Sequence, residues 1–212
     1  LGAVLIDGDT PDMTGCSAPD AAYGVGESVT ITCVYDEAVT VTGTPTVTLS
    51  NDDVASYSSG STSTSIVFTT TVAEGDTTSS DLAVSSIQPT AGGATMKDAN
   101  DNAIDSTITG GDLGTVTVDG AVPVFVSVAA TDATYNIGDT LTITVTWGEA
   151  VVVGGTPTLT LDNGDTASYV SGSTTTALVF TTVVADGDTD SSDLSVSSYG
   201  GTIADAAGGA AG

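Results

Sequence analysis

The sequence predicts an all-β chain of two tandem immunoglobulin-like β-sandwich domains, the second of which lacks its final strand. Short runs rich in Val, Thr, Ile, Tyr and Phe alternate in polarity, as half-buried strands do, and Gly, Asp, Asn and Ser interrupt them. The chain is also an internal repeat, since it matches itself after a shift of 112 residues. Six or seven strands in each copy of about 110 residues are typical of such a sandwich.

The repeat is visible in matching segments. Residues 1–8 (Leu-Gly-Ala-Val-Leu-Ile-Asp-Gly) match residues 113–120 (Leu-Gly-Thr-Val-Thr-Val-Asp-Gly). The segments Glu-Ala-Val and Gly-Thr-Pro-Thr each occur once in either copy. Each copy is long enough for a small domain with its own core. We therefore predict a first domain over residues 9–120, closed by a strand at 113–120, and a second domain over residues 121–212.

The strands follow from the alternation of apolar and polar residues. In the second copy they are predicted at residues 124–130, 141–147, 158–161, 167–170, 177–184 and 194–198. Threonines separate the apolar residues of the run 141–147, which gives a strand with one buried face and one solvated face. The predicted inward residues are Leu141, Ile143, Val145 and Trp147 in the second copy, and Val29, Ile31, Cys33 and Tyr35 in the first.

The two copies differ at their last strand. The first copy closes with Val116 and Val118 facing the core, whereas the second reaches Asp205 and continues as a Gly- and Ala-rich tail. Residues 1–8 carry the matching sequence, with Val4 and Ile6 in the inward positions. We therefore predict that residues 1–8 are a donor strand, which completes the second domain of a neighbouring, identical subunit in a head-to-tail filament.

Two alternatives to this filament remain open. The chain can be a stretch of a longer tandem array, in which the next repeat supplies the strand covalently, or it can be a simple monomer or dimer. Two buried aliphatic side chains contribute about 2 kcal/mol each, whereas association costs about 4–15 kcal/mol. The strand alone is therefore marginal, and a durable fibre also requires contacts between domains or bridging ions.

The charge balance excludes several classes of function. The chain has 27 acidic residues, one base (Lys97) and no His, for a net charge of −26. Nucleic acid and anionic membranes are excluded as partners because nothing would neutralise their phosphates. Without His, a Ser-His-Asp or Cys-His arrangement is impossible, so we predict that the chain is not an enzyme. No apolar run is long enough to be inserted across a bilayer.

Cations are the natural partners of such a chain, and calcium binds the oxygen ligands that it offers. Asp residues are either collected at calcium sites or spread over a solvated, salt-tolerant surface. The loop around residues 186–190 is also explained by a polar hairpin turn. An ion held by a strand-ending Glu, a loop Asp and a linker Asp would stiffen neighbouring domains against each other. The candidate ligands are Asp7, Glu37, Asp98, Asp101, Asp119, Glu149, Asp186, Asp188, Asp190 and Asp205.

The cysteines occur only in the first copy. Cys16 and Cys33 correspond to Val128 and Val145, which alternation places on the inner faces of adjacent strands. Two inward positions on neighbouring strands satisfy the distance that a disulfide requires. We predict a Cys16–Cys33 disulfide, with two free buried thiols as the alternative. A disulfide indicates an oxidising, extracellular setting.

Several motifs carry a resemblance to a known family. They are Glu-Ala-Val-x-Val-x-Gly-Thr-Pro-Thr, Ala-Ser-Tyr-x-Ser-Gly-Ser-Thr and, in the second copy, Gly-Gly-Thr-Ile-x-Asp-Ala-Ala-Gly. With them the chain resembles the tandem immunoglobulin-like, cadherin-like repeats of large bacterial surface adhesins and extracellular filament proteins. The resemblance implies a calcium-binding sandwich at the cell surface with a stalk or adhesion role. In that family Asp98 and Asp205 match the loop acid, and Asp7 and Asp119 match the acid that ends the closing strand.

Together these observations predict an extracellular structural filament subunit that is stiffened by calcium. The alternative is a stretch of a long cell-surface adhesin, which acts as a stalk or binds glycans or other surface proteins. The family pattern usually has Asn after Asp-Ala-Ala-Gly, and Gly209 stands there in this chain.

Overall fold

A computed structural model describes residue 4 and residues 6–211, and in these residues the chain is all-β, as the sequence predicts. The fourteen strands divide between two compact units, Leu1–Ala121 (unit 1) and Val122–Gly212 (unit 2). The only helical element described is a single 3-10 turn at Ala91–Gly93. Within the described ranges, no helix has the length and apolarity that crossing a membrane requires.

The described part of unit 1 contains nine strands. They are β1 (Met13–Ser17), β2 (Ala21–Tyr23), β3 (Ser28–Thr42), β4 (Thr46–Leu49), β5 (Val54–Ser59), β6 (Ser63–Thr71), β7 (Val84–Gln88), β8 (Thr95–Lys97) and β9 (Val116–Val118). Six of them form a sheet in the order β1-β3-β6-β5-β4-β7, and β8 pairs with the second half of β3. The last strand, β9, pairs in parallel with β2.

Unit 2 repeats this arrangement with fewer, longer strands. They are β10 (Phe125–Ala130), β11 (Thr140–Leu161), β12 (Thr166–Ser171), β13 (Thr175–Val183) and β14 (Val196–Ala204). Strand β11 is the counterpart of both β3 and β4, and β14 pairs with it along both parts. The two strands predicted at 141–147 and 158–161 are therefore parts of one strand, and its pairing with β14 shifts register between Gly154 and Thr158.

Each unit has its own apolar core, built from the inward residues of the alternation. The inward positions of β3 and β11 are buried as predicted, and the intervening threonines lie on the other face. Phe68 and Phe180 occupy equivalent places at the centres of the two cores and are fully buried. Period-two alternation thus gives each sheet one packed face.

Strand β9 closes unit 1 by lying between two segments. On one side it pairs with β2, in a register that joins Val116 to Ala21 and Val118 to Tyr23. On the other side the N–H of Leu82 donates to the carbonyl oxygen of Val116 (2.9 Å). Val116 and Val118 are buried, so β9 covers the core as the sequence predicts.

The segment before β9 also covers the core of unit 1. The N–H of Cys16 donates to the carbonyl oxygen of Gly110 (2.8 Å), and the N–H of Val84 donates to that of Gly111 (2.7 Å). A Cβ atom on Gly111 would lie 2.5 Å from the carbonyl oxygen of Val84, so only glycine permits this approach. Residues 110–111 are therefore hydrogen-bonded between β1 and β7.

The predicted disulfide is present. Cys16 and Cys33 are bonded to each other and stand opposite one another in the antiparallel pair of β1 and β3. Their counterparts, Val128 and Val145, stand opposite one another in the pair of β10 and β11. The same register therefore accommodates either a disulfide or two valines.

We expect the Cys16→Val, Cys33→Val variant to lose about 3 kcal/mol from the free energy of unfolding of unit 1, because a loop of 17 residues is no longer closed in the unfolded chain. Urea unfolding followed by far-ultraviolet circular dichroism measures this loss. The fluorescence of Trp147, the chain's one tryptophan, follows unit 2 in the same samples and should not change. An unchanged unit 1 transition would show that the disulfide contributes no stability.

Candidate functional site

Unit 2 exposes apolar positions that unit 1 buries. Each comparison pairs residues separated by the repeat of 112. The exposed fractions are 4% for Met13 and 52% for Phe125, 0% for Leu82 and 38% for Leu194, and 4% for Ile87 and 41% for Tyr199. Leu82 and Leu194 are the same residue type, so the difference in burial comes from what covers the position.

One of these positions, Leu194, lies where unit 1 has its closing strand, because its counterpart Leu82 is hydrogen-bonded to Val116 of β9. No counterpart of β9 exists among the described residues of unit 2. The two segments that would flank it are residues 133–135, the counterpart of β2, and residues 191–195, the counterpart of residues 79–83. Neither forms a strand, and most of their residues are exposed. We call the space between these two segments the strand groove.

Unit 2 also has an apolar cavity of about 300 Å³, which we call the aromatic cavity. Trp147 is buried in its wall, with its ring edge-to-face to Phe125 (centroids 6.3 Å apart) and to Tyr199 (6.1 Å). The lining residues are Phe125, Val128, Val145, Trp147, Leu159, Phe180, Val196, Ser197, Ser198, Tyr199 and Ile203. Its surface is chiefly hydrocarbon, so it favours an apolar occupant.

A cluster of carboxylates lies in unit 1. One oxygen from each of Asp7, Glu37 and Asp98 lies within 4.8 Å of the other two. Calcium binds oxygens at about 2.3–2.6 Å, so oxygens at this mutual distance can share one ion. Asp7, Glu37 and neighbouring acids also line an open cleft with Gly8 and Thr10; these acids are Asp9, Asp12 and Asp36.

The buried member of this cluster is held by hydrogen bonds. Asp98 follows β8, and its Oδ1 accepts from the backbone N–H groups of Asn100 and Asn102 (both 2.8 Å). Its Oδ2 accepts from the side-chain amide of Asn102 (2.8 Å). Burial by itself would raise the pKa of Asp98, but the hydrogen bonds from Asn102 and Asn100 lower the pKa below its ordinary value. Asp98 is therefore held in its charged form.

Glu37 has the opposite shift. Desolvation raises its pKa first, and the negative charges of Asp98 and Asp7 raise it further, with smaller contributions from Asp36 and Asp9. Like charges at this spacing repel one another, and a bound cation would reverse the sign of the interaction. The cluster thus has the oxygen donors and the charge that a hard divalent cation requires.

Unit 2 has a related pair of carboxylates, from Glu149 and Asp205, with oxygens within 4.8 Å of each other. Asp205 follows the end of β14, and its Oδ1 accepts from the N–H groups of Ala207 (2.8 Å) and Gly209 (2.9 Å). Its Oδ2 is buried and has no hydrogen-bond partner among the residues that the structure describes. In unit 1 the side-chain amide of Asn102 donates to the equivalent oxygen of Asp98. The counterpart of Asn102 in unit 2 is Gly209, which has no side-chain amide.

The remaining predicted ligands lie elsewhere. Asp119 follows β9, and its Oδ1 accepts from the N–H of Ala121 (3.0 Å); an ion shared between Asp119 and the second domain stays a prediction. Asp101 is exposed and forms an ion pair with Lys97 (3.1 Å). In the loop before β14, Asp188 Oδ2 accepts from the N–H of Ala185 (2.7 Å). Within the described ranges, Asp101, Asp186, Asp188 and Asp190 join no group of three potential ligands.

Two features of the site were missed by sequence reasoning. The amide of Asn102 could have been found by comparing Asp-Ala-Asn-Asp-Asn at 98–102 with Asp-Ala-Ala-Gly-Gly at 205–209. The aromatic cavity had a signal in the aromatic residues of the second copy, because Phe125 and Tyr199 replace aliphatic residues of the first. Neither comparison by itself fixes where the side chains meet.

We expect Gly209→Asn to raise the free energy of unfolding of unit 2 by about 1 kcal/mol in the absence of divalent cations. The new amide would donate to the unpartnered Oδ2 of Asp205, as Asn102 does to Asp98. Urea unfolding followed by Trp147 fluorescence measures the change. The matched variant, Asn102→Gly, should destabilise unit 1 and leave the Trp147 transition in place. An unshifted transition in Gly209→Asn would show that Asp205 Oδ2 is already satisfied.

The chain was also compared with known proteins. No model of a known protein family matches it, and no protein of curated function is similar to it at a significant level. The features of the structure that bear on function are the strand groove, the aromatic cavity and the carboxylate cluster.

Proposed function

We propose that this chain is an extracellular structural subunit of two immunoglobulin-like domains, which polymerises head-to-tail by donor-strand complementation. One observation carries the proposal: unit 2 has an uncovered groove at the place where β9 closes unit 1. A neighbouring subunit supplies the missing strand. Because donor and acceptor surfaces differ, the contact is heterologous and extends into a filament rather than closing as a dimer.

Residues 1–8 are the proposed donor, because they repeat the sequence of the strand that closes unit 1. In the same register, Val4 takes the place of Val116 and Ile6 takes the place of Val118. Both side chains are exposed in the free subunit. Insertion would bury them together with Leu194, the counterpart of Leu82. The donor strand would also supply hydrogen-bond partners to residues 133–135, which β2 obtains from β9 in unit 1.

The energetics require a second contribution. Burial of Val4, Ile6 and Leu194 contributes roughly 2 kcal/mol for each side chain, and each ladder hydrogen bond adds about 1 kcal/mol. Association costs about 4–15 kcal/mol. The favourable contributions do no more than balance the upper end of the association cost. A donor strand that is ordered before binding would lose less conformational entropy, and the contact would be more stable.

Calcium at the carboxylate cluster is the proposed second contribution. Asp7 directly follows Ile6, the last inward residue of the donor, and Glu37 and Asp98 belong to the folded body of unit 1. An ion bound by all three would fix the point at which residues 1–6 leave unit 1. The donor would then be presented in one direction, which reduces the entropy that insertion costs.

The disulfide and the charge support an extracellular location. The Cys16–Cys33 bond is of the kind that persists in oxidising compartments. The net charge of −26 favours a setting rich in cations. In the second candidate function, the chain is part of a longer cell-surface adhesin, and the next repeat fills the strand groove. This candidate is favoured by unit 1, whose closing strand β9 leads directly into the following unit.

We expect Val4→Asp, Ile6→Asp to abolish filaments. Burying two carboxylates beside Leu194 and Asp193 is unfavourable, and the loss of two burials of about 2 kcal/mol each corresponds to several-hundredfold weaker binding at every junction. Negative-stain microscopy of the purified chain tests this. Leu5→Thr is the matched control, because Thr117 is the natural residue at that position of the first copy. Filaments in the double variant, or none in the natural chain, would contradict strand donation.

We expect a calcium chelator to shorten or dissolve the filaments. Glu37→Gln should raise the calcium concentration that gives half-maximal assembly, because the site loses one charged ligand. Light scattering during calcium titration measures this concentration. Glu74→Gln, a substitution at an exposed position, is the control for the loss of one charge. Assembly that is insensitive to the chelator and to Glu37→Gln would contradict the role of calcium while leaving strand donation intact.

A further inference from the structure

The disulfide of unit 1 joins an edge strand to an inner strand of the same sheet. Cys16 lies in β1, at the edge, and Cys33 lies in β3, which pairs with β1 on one side and with β6 on the other. We propose that this disulfide is a tension-bearing lock, which stops unit 1 from unravelling beyond Cys16 when the chain is pulled. The inference rests on the proposed structural role of the chain, in which the chain carries tension.

The path of the tension through unit 1 follows from chain order. In a filament or in a longer array, the preceding neighbour is attached through residues that come before β1, and β9 leads into unit 2. Tension therefore enters unit 1 before Met13 and leaves it after Val118. The first strands on this path are β1 and then β2, so these strands are the first that a pulling force acts on.

The backbone of β1 is weakly held. The strand is five residues long, and its pairing with β3 shifts register between Met13 and Gly15. On its other side, the N–H of Cys16 donates to the carbonyl oxygen of Gly110 (2.8 Å). Each ladder hydrogen bond contributes little net stability, so a short edge strand of this kind opens locally before the rest of a domain does. Without a cross-link, β1 would detach first and the tension would then act on β2.

The disulfide provides a shorter path for the tension. The Cα atoms of Cys16 and Cys33 lie 4.0 Å apart, whereas the 17 residues of backbone between them span about 60 Å when fully extended. The disulfide becomes taut first and passes the tension into β3, and residues 17–32, which include β2, stay outside the path. Cys33 is fully buried, and β3 pairs with β6 from Ser28 to Val39. The tension is thus spread over the sheet.

With β2 out of the path, β9 is the element that must slide. It is held on both sides, because it pairs with β2 on one side and exchanges hydrogen bonds with residues 79–82 on the other. The N–H of Val118 donates to the carbonyl oxygen of Ser79 (2.9 Å), and Val116 accepts from the N–H of Leu82 (2.9 Å). Ladder hydrogen bonds run across the strands, so a pull along β9 acts on them together.

The lock protects the part of unit 1 that covers its core. Strand β2 pairs with β9 over only three residues, and Tyr23 of β2 packs against the core. If tension reached β2, breaking this short pairing would uncover one side of β9. Unit 2 has Val128 and Val145 in the register of the two cysteines, so the lock belongs to unit 1 alone.

Single-molecule force spectroscopy on the full chain tests the lock. The natural, oxidised chain and the Cys16→Val, Cys33→Val variant are each tethered at their two termini and stretched in optical tweezers. Complete unfolding of unit 1 should lengthen the variant by about 6 nm more than the natural chain, because the closed loop of 17 residues is released. This difference identifies the events that belong to unit 1.

We expect the variant to show an early release of at least about 3 nm, as residues 13–20 and then β2 detach. In the natural chain unravelling ends at Cys16, so an early release should not exceed about 1 nm. The main unfolding event of unit 1 should also occur at lower force in the variant, because β2 no longer holds β9.

A second direction of loading separates the lock from a general gain in stability. A tether attached through a short tag inserted after Gly92, where a side chain would meet nothing within 4 Å, loads β9 but neither β1 nor the disulfide. In this direction both chains should unfold at the same force, because a disulfide stabilises chiefly by constraining the unfolded chain.

Two results would overturn the lock: early releases of equal length in the two chains, or an equal loss of force in both directions of loading. Filament formation is scored separately by negative-stain microscopy without applied force. Absence of filaments from the natural chain would contradict strand donation and leave the force result unaffected, so the two proposals fail independently.

Discussion

The structure depends on one constraint: the apolar face of the sheet in each unit must be covered. In unit 1 the cover is β9 with the segment before it, and Leu82 becomes completely buried beneath them. Backbone N–H and C=O groups also gain hydrogen-bond partners, because β9 pairs with β2 on one side and with the segment around Leu82 on the other. Apolar burial and hydrogen-bond satisfaction are therefore supplied by the same residues.

Unit 2 shows what the same sequence pattern does without that cover. Its long strands form, and Phe180 packs at the centre of its core as Phe68 does in unit 1. Without the cover, Leu194, Phe125 and Tyr199 are exposed, and residues 133–135 form no strand. Strand pairing within the sheet thus survives without the closing segment, whereas the last layer of packing does not. Because the sheet is already formed, binding of the proposed donor strand would cost less conformational entropy.

Much of this could be predicted from sequence, because the relevant signals are local. Alternation along β3 identifies its buried face from neighbouring residues alone, and the same alternation placed Cys16 opposite Cys33. The continuity of β11 could not be predicted, because it depends on pairing with β14, far along the chain. The aromatic cavity could not be predicted either. Its wall forms where the rings of Phe125, Trp147 and Tyr199 meet, and these residues come from three strands that are separate in sequence.

The carboxylate cluster and the proposed donor strand are linked by chain order. In both copies the inward residues of the strand are followed at once by an acid: Ile6 by Asp7, and Val118 by Asp119. When the apolar residues of such a segment are buried in one domain, the acid that follows them therefore lies where the chain leaves that domain. In unit 1 Asp7 lies beside Glu37 and Asp98, where uncompensated charges repel one another. A cation that neutralised these charges would fix the segment at Asp7. Burial of Val4 and Ile6 in the proposed contact would fix the same segment on the N-terminal side of Asp7.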